Sequence, residues 1–240
     1  MNASPGIATA GELTGPDVYE HPVPGNPSGG WQLYQAIRLI LRWLRWWVRL
    51  EVRGLDAVPG TGPILIVSNH DTWLDPLALI ESLMWKGRQV RFLAKSTLWK
   101  SRILAWILNR AGQIPVRRGE GDQAAVAAAV TALDSGEAIG IFPEGTISRG
   151  EYLRARTGVA RLARACPGVP VVLAAIHGSS DLARFPKRPR VVIEYFRPDG
   201  GGLAPGEDLA AFSTRLLAEI REKVPPTSHR SAREGITGPA

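Results

Sequence analysis

Between residues 63 and 224, short apolar runs alternate with stretches of helical period. This alternation restricts the fold more than any other feature of the chain. The apolar runs lie at 63–68, 90–94, 138–142, 169–176 and 190–196, with a shorter one at 113–116. Helical stretches occupy 76–86, 98–111, 122–134, 157–165 and 208–224, and Gly136 follows the third as a C-terminal cap. Strands alternating with helices predict an α/β domain whose mostly parallel sheet is flanked by helices. In such sheets, sites lie outside the carboxyl ends of the strands.

Two of these runs end in residues that carry chemistry. The first leads into Ser68-Asn69-His70-Asp71-Thr72-Trp73-Leu74-Asp75-Pro76, and the second into Phe142-Pro143-Glu144-Gly145-Thr146. Neutral imidazole accepts a proton near neutral pH. A carboxylate beside it fixes its tautomer and stabilises the imidazolium that forms. His70 and Asp75 are therefore candidates for a base and its orienting acid, although spacing alone favours a capping Asp75 and a polar loop His70. Asp71 is a weaker partner, adjacent in sequence and expected to point elsewhere. Asp75 before Pro76 reads as an N-cap followed by the first helical residue. In the second loop, the backbone N–H groups of Gly145 and Thr146 can line an anion site. Lys95, Arg117, Arg118, Arg149, Arg154 and Arg156 supply positive charge nearby in sequence, and a guanidinium fork suits a phosphate.

Composition points to the partner. The formal net charge is +7 and the sequence pI is near 10.1, which favours anionic partners. Eight tryptophans favour lipid over nucleic acid, because indole rings settle at membrane–water interfaces. Arg38, Arg42, Arg45 and Arg49 fall within about 60° of arc on a helix predicted over 31–50, with Ala36, Ile40, Trp43 and Trp47 opposite. Four arginines at the bilayer centre would each cost about 2.5–3.5 kcal/mol. The helix is therefore expected to lie in the interface, arginines among phosphates and tryptophans toward the acyl chains. Residues 1–30 and 225–240 are rich in Gly and Pro and read as flexible tails, leaving 51–224 as one domain. The one cysteine, Cys166, fits a reducing compartment and reads as a buried small residue. The first thirty residues lack the basic start and apolar stretch of a signal peptide.

Several chemistries have no motif here. The chain has no G-x-x-x-x-G-K-[ST] loop, no G-x-G-x-x-G fingerprint and no G-x-S-x-G elbow. His21 and His229 fall in the tails, and His177 ends a strand alone and reads as structural.

The order Asn69-His70-x4-Asp75, Ile114-Pro115-Val116-Arg117-Arg118, Phe142-Pro143-Glu144-Gly145-Thr146, Val169-Pro170-Val171-Val172 resembles the four-block pattern of the glycerolipid acyltransferases. The resemblance covers roughly residues 50–200 and is strongest to the 1-acylglycerol-3-phosphate acyltransferases. It implies His70 as base, Asp75 as orienter, and Arg118, Glu144 and Gly145 around the acceptor phosphate. Asn69, Lys95, Arg117, Thr146 and Arg149 complete the expected substrate-binding set. The resemblance further implies acyl transfer from acyl-CoA or acyl-carrier protein to a lysophospholipid, without a cofactor or metal. It also implies a peripheral place on the cytoplasmic face of the cell membrane, on anionic lipids. The chain departs from the pattern at Ile147, where an Arg is usual, at Arg117, where an acid is common, and at Leu173, where Pro is frequent. These positions bear on the acceptor more than on the reaction.

Two rival functions fit the same residues differently. A lyso-aminolipid or lyso-glycolipid acceptor keeps the chemistry. A non-catalytic peripheral protein binding anionic lipid needs neither His70 nor Asp75. Nucleic acid is disfavoured, because the basic residues do not interleave with base-stacking aromatics.

Overall fold

A computed structural model describes residues 48–117, 122–180 and 188–224. Seven strands form one sheet: β1 (Arg49–Arg53), β2 (Ile64–Ser68), β3 (Val90–Lys95), β4 (Ile114–Val116), β5 (Ala138–Ile141), β6 (Val171–His177) and β7 (Arg190–Phe196). Their order is β1-β7-β6-β2-β5-β3-β4. Every pair is parallel except β6–β7. Among the described residues the α-helices are α1 (Asp75–Met84), α2 (Arg102–Arg110), α3 (Gln123–Asp134), α4 (Gly158–Ala165) and α5 (Leu209–Lys223).

β2 shows why its run is apolar from Ile64 through Val67. It is bonded to β5 on one side and β6 on the other, and all five of its residues are buried. Ile64 and Ile66 point into the core shared with α1, beside Leu79, Leu83 and Tyr195. Leu65 and Val67 point into the opposite core with Phe212, Leu216 and Ile220 of α5. A strand covered on both faces cannot alternate apolar with polar. The parallel pairing brings the carboxyl ends of β2, β3, β4 and β5 to one edge of the sheet, where the loop after β2 and the loop after β5 meet.

The expected strands and helices are present, with bounds shifted by a few residues. Three differences have physical causes. The stretch 98–111 divides into a 3-10 turn (Ser96–Lys100) and α2, because the Ser101 hydroxyl accepts from the Leu104 N–H and starts the helix there. The helix predicted over 31–50 does not reach Leu50. Arg49 and Leu50 belong to β1, an edge strand paired with Arg190 and Val191, so Arg49 leaves the arginine stripe. The remainder of that helix, 31–47, lies outside the described residues, as does the tail 225–240. Asp75 stands inside the first turn of α1 instead of capping it, and no side chain caps this helix. Its carboxylate turns back toward the loop instead.

Candidate active site

His70 sits two residues beyond the end of β2, and its ring is held from two directions. Asp75 Oδ2 lies 3.3 Å from His70 Nδ1, and the ring stacks on Phe142 with centroids 4.2 Å apart. Phe142 stacks in turn on Phe92, at 5.4 Å. Gly140 makes room for that column, since a Cβ there would stand 2.2 Å from the Phe92 ring.

The short loop 71–74 brings histidine and aspartate together. Asp75 is fully buried, and its carboxylate accepts the Thr72 N–H at 2.7 Å and the Thr72 hydroxyl at 3.1 Å. Those bonds draw the loop back over the first turn of α1. Nδ1–H donating to Asp75 leaves Nε2 as the nitrogen with the lone pair. His70 is thereby oriented as a proton acceptor.

The loop after β5 docks directly on this one. The Glu144 carboxylate is buried and accepts the backbone N–H of His70 at 2.7 Å. The Ser148 N–H donates to the His70 carbonyl at 2.7 Å. Both backbone polar groups of the histidine are thus held by the second loop, 74 residues away in the chain for Glu144.

Arg221, near the end of α5, closes the arrangement. It is 5% exposed and pairs with Asp71, with Glu144 and with the Ser148 hydroxyl. Ser148 also donates to Asp71. Burial alone would raise the Asp71 carboxyl, but Arg221 and Ser148 outweigh it and hold the group below its ordinary value. Burial also governs Glu144, and there it prevails over Arg221 and leaves the carboxyl raised. Burial opposes the charge of Arg221, yet Asp71 and Glu144 together keep its pKa above the ordinary value.

The expected substrate-binding residues divide into two groups. Asn69 faces inward. Its amide oxygen accepts the Ile176 N–H at 2.8 Å, and its nitrogen donates to the Ile176 carbonyl at 3.0 Å and to Asp71 at 2.9 Å. It replaces a strand residue, pairing with β6 where β2 has ended. Glu144 likewise spends its carboxylate inside the protein. The Gly145 N–H, expected to face an anion, donates to the Phe142 carbonyl at 3.0 Å. Gly145 is required there for another reason: its φ is 66°, and a Cβ would meet the Arg156 side chain at 2.4 Å.

The second group lines the outer edge. Lys95 ends β3 and Arg117 follows β4, both exposed at carboxyl ends of neighbouring strands. Arg149 is exposed in the second loop at φ 56°, a conformation rare for a residue with a side chain. Thr146 is half-buried in the same loop, and Arg118 lies outside the described residues. Arg154 and Arg156 are exposed. His177 is half-buried, with burial depressing its pKa, and Cys166 is buried, with burial raising its thiol. Among the described residues, no three of His, Cys, Asp and Glu gather as a metal cage.

Sequence reasoning missed Arg221 and Ser148. Arg221 had a visible signal. It lies four residues after Leu217 and one after Ile220, on the buried stripe of α5 formed by Phe212, Ser213, Leu216, Leu217 and Ile220. A charge on a buried stripe needs buried partners.

Comparison with known proteins places the chain in a family. A lyso-ornithine lipid O-acyltransferase from Pseudomonas aeruginosa is 33% identical over 121 residues, 47% of this chain and 45% of that protein. Human 1-acyl-sn-glycerol-3-phosphate acyltransferase alpha is 33% identical over 149 residues, 58% of this chain and 51% of its own. The chain thus spans about half the length of these two relatives. The crystal structure of the 1-acyl-sn-glycerophosphate acyltransferase PlsC from Thermotoga maritima shares the fold. Its TM-score is 0.60 at 20% identity, over 83% of this chain and 81% of that one. Residues 49–177 match the family described as Acyltransferase, and this span holds His70, Asp75, Glu144 and Ser148, so the chain belongs to that family.

Proposed function

We propose that this protein transfers a fatty acyl chain from a thioester, acyl-CoA or acyl-carrier protein, to a hydroxyl of a lysophospholipid. The acceptor we favour is 1-acylglycerol-3-phosphate, giving phosphatidic acid. The observation that carries the reading is the His70–Asp75 pair, 3.3 Å apart, with the ring clamped on Phe142 and both backbone groups held by the second loop. His70 Nε2 takes the proton of the acceptor hydroxyl as its oxygen attacks the thioester carbonyl. The C–S bond then breaks, and the leaving thiolate recovers the proton from the imidazolium. General base help of this kind typically contributes about 10²–10⁴-fold. Asp75 orients the ring and stabilises its charged form.

Lys95, Arg117 and Arg149 supply exposed positive charge for the acceptor phosphate and for an acidic donor, with Arg118 as the guanidinium fork. Asn69, Glu144 and Gly145 act through the shape of the loops. Names of relatives support the acceptor class, the human relative among them being named a 1-acyl-sn-glycerol-3-phosphate acyltransferase. A second reading has its own support, since another relative is named for lyso-ornithine lipid. No helix among the described residues is long and apolar enough to cross a membrane.

The test is an acyl-transfer assay on the full chain, with acyl-CoA or acyl-carrier protein and a panel of lyso-lipids, read by mass spectrometry. Acylation of 1-acylglycerol-3-phosphate, lowered about 10³-fold by His70→Ala, is expected. Preference for a lyso-aminolipid would select the second reading. Transfer that persists undiminished in His70→Ala would overturn the mechanism.

A further inference from the structure

Helix α2 is built unlike the other helices of the fold. None of its nine residues is buried. Arg102, Trp106, Arg110 and Ile103 fall within about 100° of arc on its outer side. Ile103 is 76% exposed and Trp106 57%, and Leu98 in the preceding 3-10 turn is exposed too. The Arg110 guanidinium lies over the Trp106 ring, 5.4 Å from its centroid. Trp99 Nε1 donates to Asn109 at 2.6 Å and ties the 3-10 turn to the helix, so the whole segment is presented as a unit. Large apolar side chains held in water on an ordered helix mark a contact surface.

The charge around this face selects the partner. Between Glu81 and Glu120 the chain has nine lysines and arginines and no acid. Lys86, Arg88 and Arg91 bond to groups of the fold, while Lys95, Lys100, Arg102 and Arg110 are exposed. A second copy docked symmetrically on this face would bring Lys100, Arg102 and Arg110 against themselves, and like charges disfavour that contact. An anionic lipid surface satisfies both halves of the pattern: phosphates meet the cations, and Ile103 and Trp106 enter the acyl boundary.

Position links this face to the site. The 3-10 turn and α2 follow the carboxyl end of β3, and the His70 loop follows the carboxyl end of β2, at the same edge of the sheet. Within the His70 loop, Trp73 is 66% exposed. We infer that α2, with Leu98 before it and Trp73 on the adjoining loop, seats the catalytic edge on an anionic bilayer. This is a contact separate from the helix expected over 31–47, and it would let a lyso-lipid reach His70 without leaving the membrane. The inference rests on the lyso-lipid acyltransferase reading.

The experiment reads binding and depth without turnover. An environment-sensitive fluorophore is attached at position 103 through Ile103→Cys, in the full chain carrying Cys166→Ser, with a control label through Ala218→Cys on α5. Vesicles of equal parts phosphatidylcholine and phosphatidylglycerol are added. The label at 103 should shift to the blue and be quenched by lipids brominated on the acyl chain, and the label at 218 should do neither. In the unlabelled chain, Trp106→Ser with Ile103→Ser should weaken vesicle binding by roughly tenfold or more. Arg102→Gln and Arg110→Gln should weaken it about fivefold each, with loss of salt sensitivity. A water-soluble short-chain acceptor should be turned over normally by all four substitutions. Vesicle binding with the label at 103 still in water would overturn the inference, because another surface would be the anchor. A blue shift that needs protein concentration and no lipid would overturn it in favour of self-association. Failure of the wild-type chain to acylate any soluble acceptor would count against the enzymatic reading instead, and leaves the binding result to stand or fall by itself.

Discussion

Arg221 and Asp71 stand 150 residues apart in the chain and 2.8 Å apart in space. The same guanidinium pairs with Glu144, so one side chain from the last helix joins the two loops that frame His70. Removing it would strand the buried carboxylate of Glu144 and the half-buried one of Asp71. Breaking a buried pair in this way costs about 3–5 kcal/mol. Arg221→Gln should therefore lower the melting temperature and unfold on mild denaturant. Arg221→Lys keeps the charge but not the fork, so it should recover part of the stability and little of the turnover. Equal stability of the glutamine variant and the wild type, by denaturant melts, would contradict this role.

The base and its orienter should separate in assay. His70→Ala should lower kcat by about 10³-fold, within the usual range for a general base, with the fold intact. Asp75→Asn should cost less in turnover because a positioned imidazole remains. It should also lower the melting temperature, since Thr72 bonds to both carboxylate oxygens. Kinetics and thermal melts on the two variants check both points.

Glu144 discriminates between a residue that touches the acceptor and one that shapes the site. Glu144→Gln retains an oxygen for the His70 N–H and loses the charge facing Arg221. The expected result is a lower kcat with KM for the acceptor little changed, and a stability loss on the order of 2 kcal/mol. A raised KM with unchanged kcat would place the carboxylate against substrate instead.

Gly140 should prove unable to carry a side chain. Gly140→Ala would drive a methyl into the Phe92 ring, which stacks on Phe142 and through it on His70. Overpacking of this kind costs about 1–3 kcal/mol. Adding Phe92→Leu should restore stability further than it restores turnover, because the column behind the imidazole is then incomplete. Melting temperatures and kcat of the single and double variants decide this.

Acid sensitivity should trace to Asp71. Its folded pKa is depressed below the ordinary 3.8. A depressed carboxylate adds stability that is present above the unfolded pKa and lost as pH falls through the folded one. Stability should therefore decline as pH drops below about 4, and Asp71→Asn should flatten that decline while lowering stability near neutrality. Glu144 works in the opposite sense, since its raised pKa means that protonation relieves a cost. Denaturant melts across the acid range, on both variants, separate the two contributions.

Much of this protein was legible in its sequence, because the signals were local. The run at 64–67 is apolar at every position, which is what a central strand covered on both faces requires, and five of the helices were visible in their periods. The His70–Asp75 spacing was legible too, since a single short loop and the turn after it bring the two together. What escaped was set by contacts between distant segments. Arg49 and Leu50 continue a helical pattern, yet pairing with Arg190 and Val191 makes them a strand. Glu144 and Asn69 carry groups suited to a ligand, and only the docking of one loop on another, and of β6 on the end of β2, spends those groups inside the protein. Arg221 is the sharpest case: local sequence shows a charge on a mostly apolar stripe, and only the packing of α5 across the sheet supplies the two carboxylates that offset the cost of its burial.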